Sequence, residues 1–376
     1  MKEYVIFLKE KPVLIFLGFI LGFEIFLQSG IYTSILKPNS YASNINRITE
    51  NVISHKDKLN PDILVVGTSL AQEGILLSDF NESLNPIHKK VSSIAIPGSE
   101  TLAQNLALEK VLKNLEKVKL IVHVVELERP WADEKWLESV NFPMIAEFHK
   151  KNAYSLMKKY EYDFSYKDIF FLLLKSIAYR QDLRDFFLNP PKRFKNISRL
   201  NQKQKDSLFF YENGYTESVS MYKLESLDDC MIKMANSDLP PVGSTVFHKK
   251  AILDTCSLMK SSKVTNRETE TSQMYFKRLK LFYDFIKNHR IQIVSVLPPT
   301  NRLAVFPGEE ERIRLWKNHL KEIGVDEIFE FQNIFSYNEG EKYFYDLFHL
   351  NREGAKIFTE ALSKSILKSQ KLSGEF

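Results

Sequence analysis

Residues 61–74, PDILVVGTSLAQEG, decide how the rest of the chain can be organised. The apolar run at 63–66 lies between Pro61 and Gly67, which is typical of a short, fully buried strand. Because the residues after Ser69 lack turn chemistry, we predict a tight strand-to-helix junction with Ser69 at the carboxyl end of the strand. Open α/β sheets bind ligands there, so Ser69 is a candidate nucleophile. The alternative is a helix N-cap, whose hydroxyl accepts a hydrogen bond from a backbone N–H.

Strands and helices continue to alternate along most of the chain. Further apolar strands are predicted at 91–96, 120–125, 291–297 and 327–331, and amphipathic helices at 100–117, 274–289, 316–323 and 357–367. This alternation produces a parallel sheet with right-handed crossovers. We therefore expect an α/β fold whose sheet domain is formed by residues 61–131 and 274–370.

The composition is that of an ordinary globular protein of one or two domains, with 376 residues, 44% hydrophobic and 26% charged. The net charge of +5 comes without an Arg/Lys-rich helix or an RNA-binding motif, so no nucleic-acid partner is expected. The chain contains no G-x-G-x-x-G, no Walker A loop and no metal-ligand spacing, so we expect no cofactor and no metal. Cys230 and Cys256 either form one disulfide in an oxidising compartment or remain free buried thiols.

The N-terminus carries an apolar segment at 13–36, in which Glu24 is the single charge. A helix of about 20 such residues spans the hydrocarbon core of a membrane. Three lysines precede it: Lys2, Lys9 and Lys11. By the positive-inside rule, residues 1–12 stay cytoplasmic and the rest of the chain lies on the far side. We therefore expect a single-pass protein of the cytoplasmic (inner) membrane with a periplasmic or otherwise extracytoplasmic C-terminal domain. A cleaved signal peptide with its apolar core at 13–23, or a buried core helix, are the alternatives.

Two further segments flank the first part of the sheet domain. Residues 37–60 are interpreted as a short stalk or an amphipathic lead-in to the first strand. Residues 132–273 form a basic insertion of helical and irregular structure, in which residues 190–195, PPKRFK, are predicted to be a loop. Between residues 150 and 205 the chain has 14 Lys/Arg and 5 Asp/Glu. Such a surface either faces water or lies against anionic lipid or an anionic polymer.

A second decisive stretch, DLFHLNREGA at 346–355, lies near the C-terminus. Asp346 and His349 are three residues apart, just before the closing helix. In a Ser-His-Asp triad the imidazole accepts the serine proton, and the carboxylate holds its tautomer and stabilises the imidazolium. An Asp and a His in an ordinary loop are the alternative.

Together, the GTS turn, Gly98 after the second strand and DLFHLNREGA resemble the motifs of the SGNH (GDSL-type) hydrolase superfamily. The resemblance covers about 60–131 and 274–370, and it implies a flavodoxin-like three-layer α/β sandwich with a parallel sheet. The match implies that Ser69 is the nucleophile, that His349 is the base and that Asp346 is the acid. It also implies an oxyanion hole made by the backbone N–H groups of Ser69 and Gly98.

The chain departs from the family pattern in two places. Thr68 stands where GDSL members have Asp. After the third strand the chain has VVELERPW instead of the family's G-x-N-D motif, so Glu126 and Glu128 lie where an oxyanion-hole asparagine is expected. Salt bridges with Arg129 or with the basic insertion are one expected use of these glutamates.

The degenerate third motif resembles that of the membrane-anchored branch of the superfamily, whose third motif is also degenerate. This branch includes cell-envelope polysaccharide O-acetyltransferases and the D-alanyl-transfer proteins of teichoic acids. This resemblance implies a serine esterase or O-acyltransferase acting on an acylated cell-envelope component. An acylated polymer or lipid-linked substrate is the expected partner, and an integral-membrane acyl donor is a further candidate. A catalytically inactive envelope binding or assembly protein of the same fold is the alternative.

Overall fold

The computed structural model describes residues 10–131, 140–162, 165–204, 207–235, 240–262, 264–265, 267–335 and 340–369. The predicted cytoplasmic segment, with Lys2 and Lys9, lies largely outside the described residues, and so does residue 370. The chain divides into two units. The sheet unit comprises Arg47–Trp136 and Leu208–Phe376, and the helical unit comprises Met1–Asn46 and Leu137–Ser207. The predicted insertion at 132–273 therefore divides between them.

The strands are β1 (Ile63–Gly67), β2 (Val91–Ser93), β3 (Leu120–Val124), β4 (Gln292–Leu297) and β5 (Glu327–Glu330). The α-helices are α1 (Lys11–Gln28), α2 (Tyr41–Ser54), α3 (Lys56–Leu59), α4 (Ser69–Gly74), α5 (Leu77–Leu84), α6 (Thr101–Leu112), α7 (Phe142–Ile145), α8 (Lys150–Lys159), α9 (Tyr166–Leu173), α10 (Lys175–Ala178), α11 (Arg180–Leu188), α12 (Pro190–Gln204), α13 (Leu227–Ala235), α14 (Val246–Ser261), α15 (Glu270–Asn288), α16 (Glu309–Ile323) and α17 (Arg352–Lys368).

The sheet is parallel throughout, in the order β2-β1-β3-β4-β5, which confirms the predicted α/β class. This strand order is the one found in flavodoxin-like sheets. All five residues of β1 and of β3 are buried, as expected when helices cover both faces of a parallel sheet. β2 is shorter than predicted, although the N–H groups of Ile94 and Ile96 still donate to carbonyls of β1.

Several helices begin earlier than the sequence pattern indicated, and two of them show why. α16 starts at Glu309 rather than 316, because Gly308 turns the chain with a φ of 80° and three glutamates favour the positive end of the helix. α12 starts at Pro190, so the predicted loop at 190–195 is wrong. Proline lacks an N–H, but the first residues of a helix do not need one.

The N-terminal helix α1 is 18 residues long, with a mean hydropathy of 1.7, and is long and apolar enough to cross a membrane. It ends at Gln28 rather than near residue 36, because Gly30 turns the chain with a φ of 82° into a short 3₁₀ segment. Most of its side chains are exposed, unlike those of a core helix. A signal sequence would have the same properties, so anchor and signal both stay open.

The cysteines are paired. Cys230 on α13 and Cys256 on α14 form a disulfide with a Cα–Cα distance of 6.4 Å, and both are fully buried. Their contact joins two consecutive α-helices of the sheet unit. The crosslink therefore adds a covalent constraint between these two helices.

We predict that Cys230→Ala combined with Cys256→Ala lowers the free energy of unfolding of the sheet unit by about 3 kcal/mol. The physical reason is the restored freedom of an unfolded loop whose ends are 26 residues apart. Urea unfolding of the full chain in detergent, followed by circular dichroism, measures the change. A wild-type midpoint that is unaffected by reducing agent would contradict the prediction.

Candidate active site

Gly67 allows the turn after β1. Its φ is 150°, and a Cβ at this position would lie 2.7 Å from the Val124 carbonyl oxygen and 2.9 Å from the Ala71 Cβ. Any larger residue would therefore push β1 away from β3 or from the first turn of α4. The glycine lets the helix begin directly at the strand end.

Thr68, and not Ser69, is the N-cap of α4. The Thr68 hydroxyl oxygen accepts from the Leu70 N–H, at 3.4 Å, and Ser69 is the first helical residue. The capping alternative for Ser69 is therefore wrong. As the first residue of a helix, Ser69 also has a backbone N–H without an intrahelical acceptor.

Ser69, His349 and Asp346 form one hydrogen-bonded chain. The Ser69 Oγ lies 2.8 Å from His349 Nε2, and His349 Nδ1 lies 2.8 Å from Asp346 Oδ2. With Nδ1–H donating to the carboxylate, a neutral imidazole has Nε2 available to accept the serine proton. The other oxygen, Asp346 Oδ1, accepts from the backbone N–H groups of Phe348 and His349, each at 2.8 Å. The structure thus brings the three predicted residues together.

The remaining residues of DLFHLNREGA hold this loop in place. Asn351 is the N-cap of α17: its Oδ1 accepts from the Gly354 N–H at 3.0 Å, and its Nδ2 donates to the Lys342 carbonyl at 2.7 Å. A Cβ at Gly354 would lie 2.2 Å from the Tyr343 carbonyl oxygen. The motif therefore combines two titratable groups with a cap and a close backbone approach.

Gly98 lies in the turn that follows β2, with a φ of 71°. This turn is fastened to the end of β1, because the Ile96 N–H and the Ser99 hydroxyl both donate to the Gly67 carbonyl, at 2.9 and 3.4 Å. Gly98 is thereby beside the start of α4. Its part in an oxyanion hole stays a prediction.

The glutamates after β3 interact with groups that the sequence did not point to. Arg129 forms an ion pair with Glu100. The Thr68 hydroxyl is hydrogen-bonded to the Glu126 carboxyl group, and Glu128 interacts electrostatically with Arg312. Glu126 therefore lies next to Thr68, the residue before Ser69, and it also interacts electrostatically with His349. A salt bridge from either glutamate to Arg129 or to the basic insertion stays a prediction.

A clamp that the sequence did not reveal holds α4 against the triad loop. Asn213 is fully buried, and its Nδ2 donates to the carbonyls of Glu73, at 2.7 Å, and Leu350, at 2.8 Å. Nearby, the Tyr211 hydroxyl donates to the Glu73 carboxylate, one helical turn after Ser69. Residues 208–215 have no helical or strand periodicity, so no signal in the sequence could have identified them.

Three acidic groups shape the proton affinity of His349. Burial alone lowers its pKa, but the Asp346 carboxylate and its hydrogen bond, together with Glu73 and Glu126, outweigh burial and raise the pKa to about 9. Burial raises the pKa of Glu73 to about 7, against the opposing effects of Tyr211 and His349. Burial likewise raises the pKa of Glu126, against the Thr68 hydrogen bond. For Asp346, the His349 charge and the N–H donors overcome burial, and its pKa is lowered.

Two other buried histidines have structural partners. His123 Nδ1 lies 2.8 Å from the Tyr283 hydroxyl, and burial lowers its pKa to about 3, so it is a neutral core residue. His248 Nε2 donates to the Tyr345 carbonyl at 2.6 Å and thus supports the triad loop. Within the described part of the chain, no group of three or more His, Cys, Asp or Glu side chains is arranged to hold a metal ion.

Compared with known proteins, the chain matches no family model and no curated protein. The catalytic roles of Ser69, His349 and Asp346 therefore stay predictions, although their geometry is that of a triad.

We predict that His349 titrates near pH 9 and is protonated at neutral pH. Asp346→Asn removes the carboxylate that contributes most to stabilising the imidazolium, so it should lower the pKa of His349 clearly below 9. Side-chain NMR of histidine-labelled full chain, with His349→Gln to assign the signal, measures both values. Asp284→Asn is the matched control, because Asp284 forms a surface ion pair with Lys280 on α15, and it should leave the value unchanged. A wild-type pKa at or below the ordinary 6.5 would refute the prediction.

Proposed function

We propose that the chain is a membrane-anchored, extracytoplasmic serine acyl-transfer protein, an esterase or O-acyltransferase of the SGNH type. The hydrogen-bonded chain Ser69–His349–Asp346 carries the proposal, because a serine hydroxyl within 2.8 Å of an imidazole is poised to lose its proton on attack. An acylated cell-envelope polymer or a lipid-linked acyl group is the proposed substrate.

In the first half-reaction, His349 Nε2 takes the Ser69 hydroxyl proton while Oγ attacks the ester carbonyl carbon. The proton then passes from His349 to the leaving oxygen, and the carbon–oxygen bond breaks, leaving an acyl-Ser69 intermediate. Attack by water completes hydrolysis, whereas attack by a sugar or polymer hydroxyl completes transfer. In each step the negative charge forms on the carbonyl oxygen, for which Ser69 N–H and Gly98 N–H are the proposed donors.

Glu126 is the proposed third donor of the oxyanion hole, in the place of the family's asparagine. The hydrogen bond with Thr68 lowers the pKa of Glu126, as expected if the Thr68 hydroxyl donates to one oxygen of the carboxyl group. The other oxygen can then carry a proton toward the oxyanion. Burial favours this neutral form by raising the pKa of Glu126. A neutral carboxylic acid serves as such a donor in ketosteroid isomerase.

Two observations support the proposed location. α1 is long and apolar enough to cross a membrane, and Lys11 precedes its apolar part. The Cys230–Cys256 disulfide is typical of proteins that fold outside the reducing cytoplasm. An inner-membrane anchor with an extracytoplasmic sheet unit satisfies both.

A non-catalytic envelope binding protein is the second candidate. The raised pKa of His349 favours it, because only about one molecule in a hundred has a neutral imidazole at pH 7 when the pKa is about 9. Such a site would be inactive at neutral pH unless a bound substrate changes the local charge.

We predict that a fluorophosphonate probe labels the full chain in detergent at Ser69. Because the neutral form of His349 is needed, the labelling rate should rise about tenfold with each pH unit up to about pH 9 and then level off. Ser69→Ala should abolish labelling, and Asp346→Asn should slow it by up to about 10⁴-fold. Mass spectrometry locates the adduct.

Ser78→Ala is the control, because Ser78 is exposed on α5 and bonds to Asp79; its labelling should equal that of the wild type. Absence of a Ser69 adduct in folded wild-type protein at every pH up to about 10 would remove the enzyme proposal and leave the binding protein.

For Glu126 we predict that substitution by Gln changes the rate of ester hydrolysis little, whereas substitution by Met lowers it strongly. Glu126→Gln keeps a neutral hydrogen-bond donor, so hydrolysis of p-nitrophenyl acetate should stay within about tenfold of wild type. Glu126→Met has a similar shape without the donor and should lose about 10²–10³-fold in kcat. Glu128→Gln is the matched control, and equal rates for the Gln and Met variants would contradict the proposed donor.

A further inference from the structure

Helix α9 in the helical unit is apolar on two opposite faces. Phe171 and Leu172 are buried, and Phe171 stacks on Phe142. The opposite face is exposed and has apolar residues at the helical spacing i, i+3, i+4 and i+7: Tyr166, Ile169, Phe170 and Leu173. An apolar helix face is usually covered by protein or by lipid, so this exposed stripe lacks an expected neighbour.

This stripe adjoins the last turn of α1. Gln28 donates to the Leu173 carbonyl at 3.1 Å. The Glu24 carboxylate accepts from the backbone N–H groups of Lys175, at 2.8 Å, and Ser176, at 3.1 Å. The end of α9 is therefore fixed at the level where the apolar part of α1 ends. Pairing with these N–H groups also explains how the one carboxylate of α1 is accommodated.

A second exposed apolar group is connected to α1 through a series of aromatic rings. Phe187 and Phe194 are 66% and 52% exposed, and each contacts Phe186, with ring centres 5.7 and 6.0 Å apart. Phe186 in turn contacts Tyr32, at 5.9 Å, and Tyr32 contacts Phe26 of α1, at 6.5 Å. The exposed rings thus continue the aromatic surface of the N-terminal helix.

The charge of the segment that carries these rings is predominantly positive. Residues 150–205 contain 14 Lys/Arg against 5 Asp/Glu, and Lys192 and Lys195 flank Phe194 in the sequence. Exposed aromatic side chains among lysines are the combination that places a surface in the headgroup region of an anionic bilayer. A solvated charged face would not need the exposed phenylalanines.

We propose that the α9 stripe together with Phe187 and Phe194 is a membrane footprint, embedded in the headgroup and upper acyl region of the leaflet from which α1 emerges. The helical unit is then seated in the bilayer surface instead of hanging from a single helix. This inference rests on the membrane anchoring in the proposed function and is independent of acyl transfer. Its partner is anionic lipid, and burial of the same residues against a second copy of the chain is the competing outcome.

The experiment measures contact with lipid directly. Phe170→Trp and Phe194→Trp are introduced separately into the full chain, which is reconstituted in vesicles of phosphatidylcholine and phosphatidylglycerol. Lipids brominated in the upper acyl chain quench tryptophan that reaches them. Each variant should lose at least twofold more fluorescence to brominated lipid than wild type does. Raising the phosphatidylglycerol share should increase the quenching, as expected for a lysine-rich surface.

Phe247→Trp is the matched control, because Phe247 is 83% exposed on α14 of the sheet unit and should show no added quenching. Quenching of Phe170→Trp and Phe194→Trp no greater than that of Phe247→Trp would overturn the footprint, and so would loss of the protein from the vesicles. Crosslinking of these positions to a second copy of the chain, without quenching by brominated lipid, would also overturn it. Ser69 labelling in the same vesicles reports separately on the proposed chemistry, so either proposal can fail alone.

Discussion

The Asp346 carboxylate is only 4% exposed, and a buried charge destabilises a fold unless hydrogen bonds compensate it. Three N–H groups do so: those of Phe348 and His349 in the backbone, and Nδ1–H of the His349 ring. To satisfy one carboxylate within three residues, the loop must curl tightly around it. That curl aims the far nitrogen of the imidazole at Ser69, so the orientation of the site results from the need to pair a buried charge.

The two departures from the SGNH pattern are in contact with each other. Thr68 replaces an acid after β1, and Glu126 brings an acid to the turn after β3, where the Thr68 hydroxyl is hydrogen-bonded to it. An aspartate at 68 would set two carboxylates side by side, at a cost in repulsion and desolvation. Compared with the SGNH pattern that the sequence resembles, the acid therefore stands at the neighbouring strand end and a hydroxyl stands in its place after β1.

Features that depend on hydrophobic periodicity or on short motifs could be predicted from the sequence. The parallel sheet and most of its helices were predictable from apolar runs, and Ser69, Asp346 and His349 come together because carboxyl ends of parallel strands share one edge. Asn213 and Tyr211 could not be foreseen, because they lie in irregular chain whose side chains act through contacts more than a hundred residues away in sequence. The pairing of Cys230 with Cys256 depended on how two helices pack, which spacing does not reveal. Partners of buried acids such as Glu73 and Glu126 are likewise set by tertiary packing.

The Asn213 clamp bears on how the chain can be recombined. By sequence pattern, residues 132–273 look like a cassette that could be exchanged or deleted as a whole. The same amide group, however, joins the carbonyls of Glu73 and Leu350. Exchange of a segment that ends at residue 273 would remove Asn213 and leave two buried carbonyls without their donor. Exchange of a segment that ends before residue 208 would keep Asn213 in the sheet unit. The exchangeable module of this chain is thus shorter than its composition suggests, and residues 208–273 belong with the site.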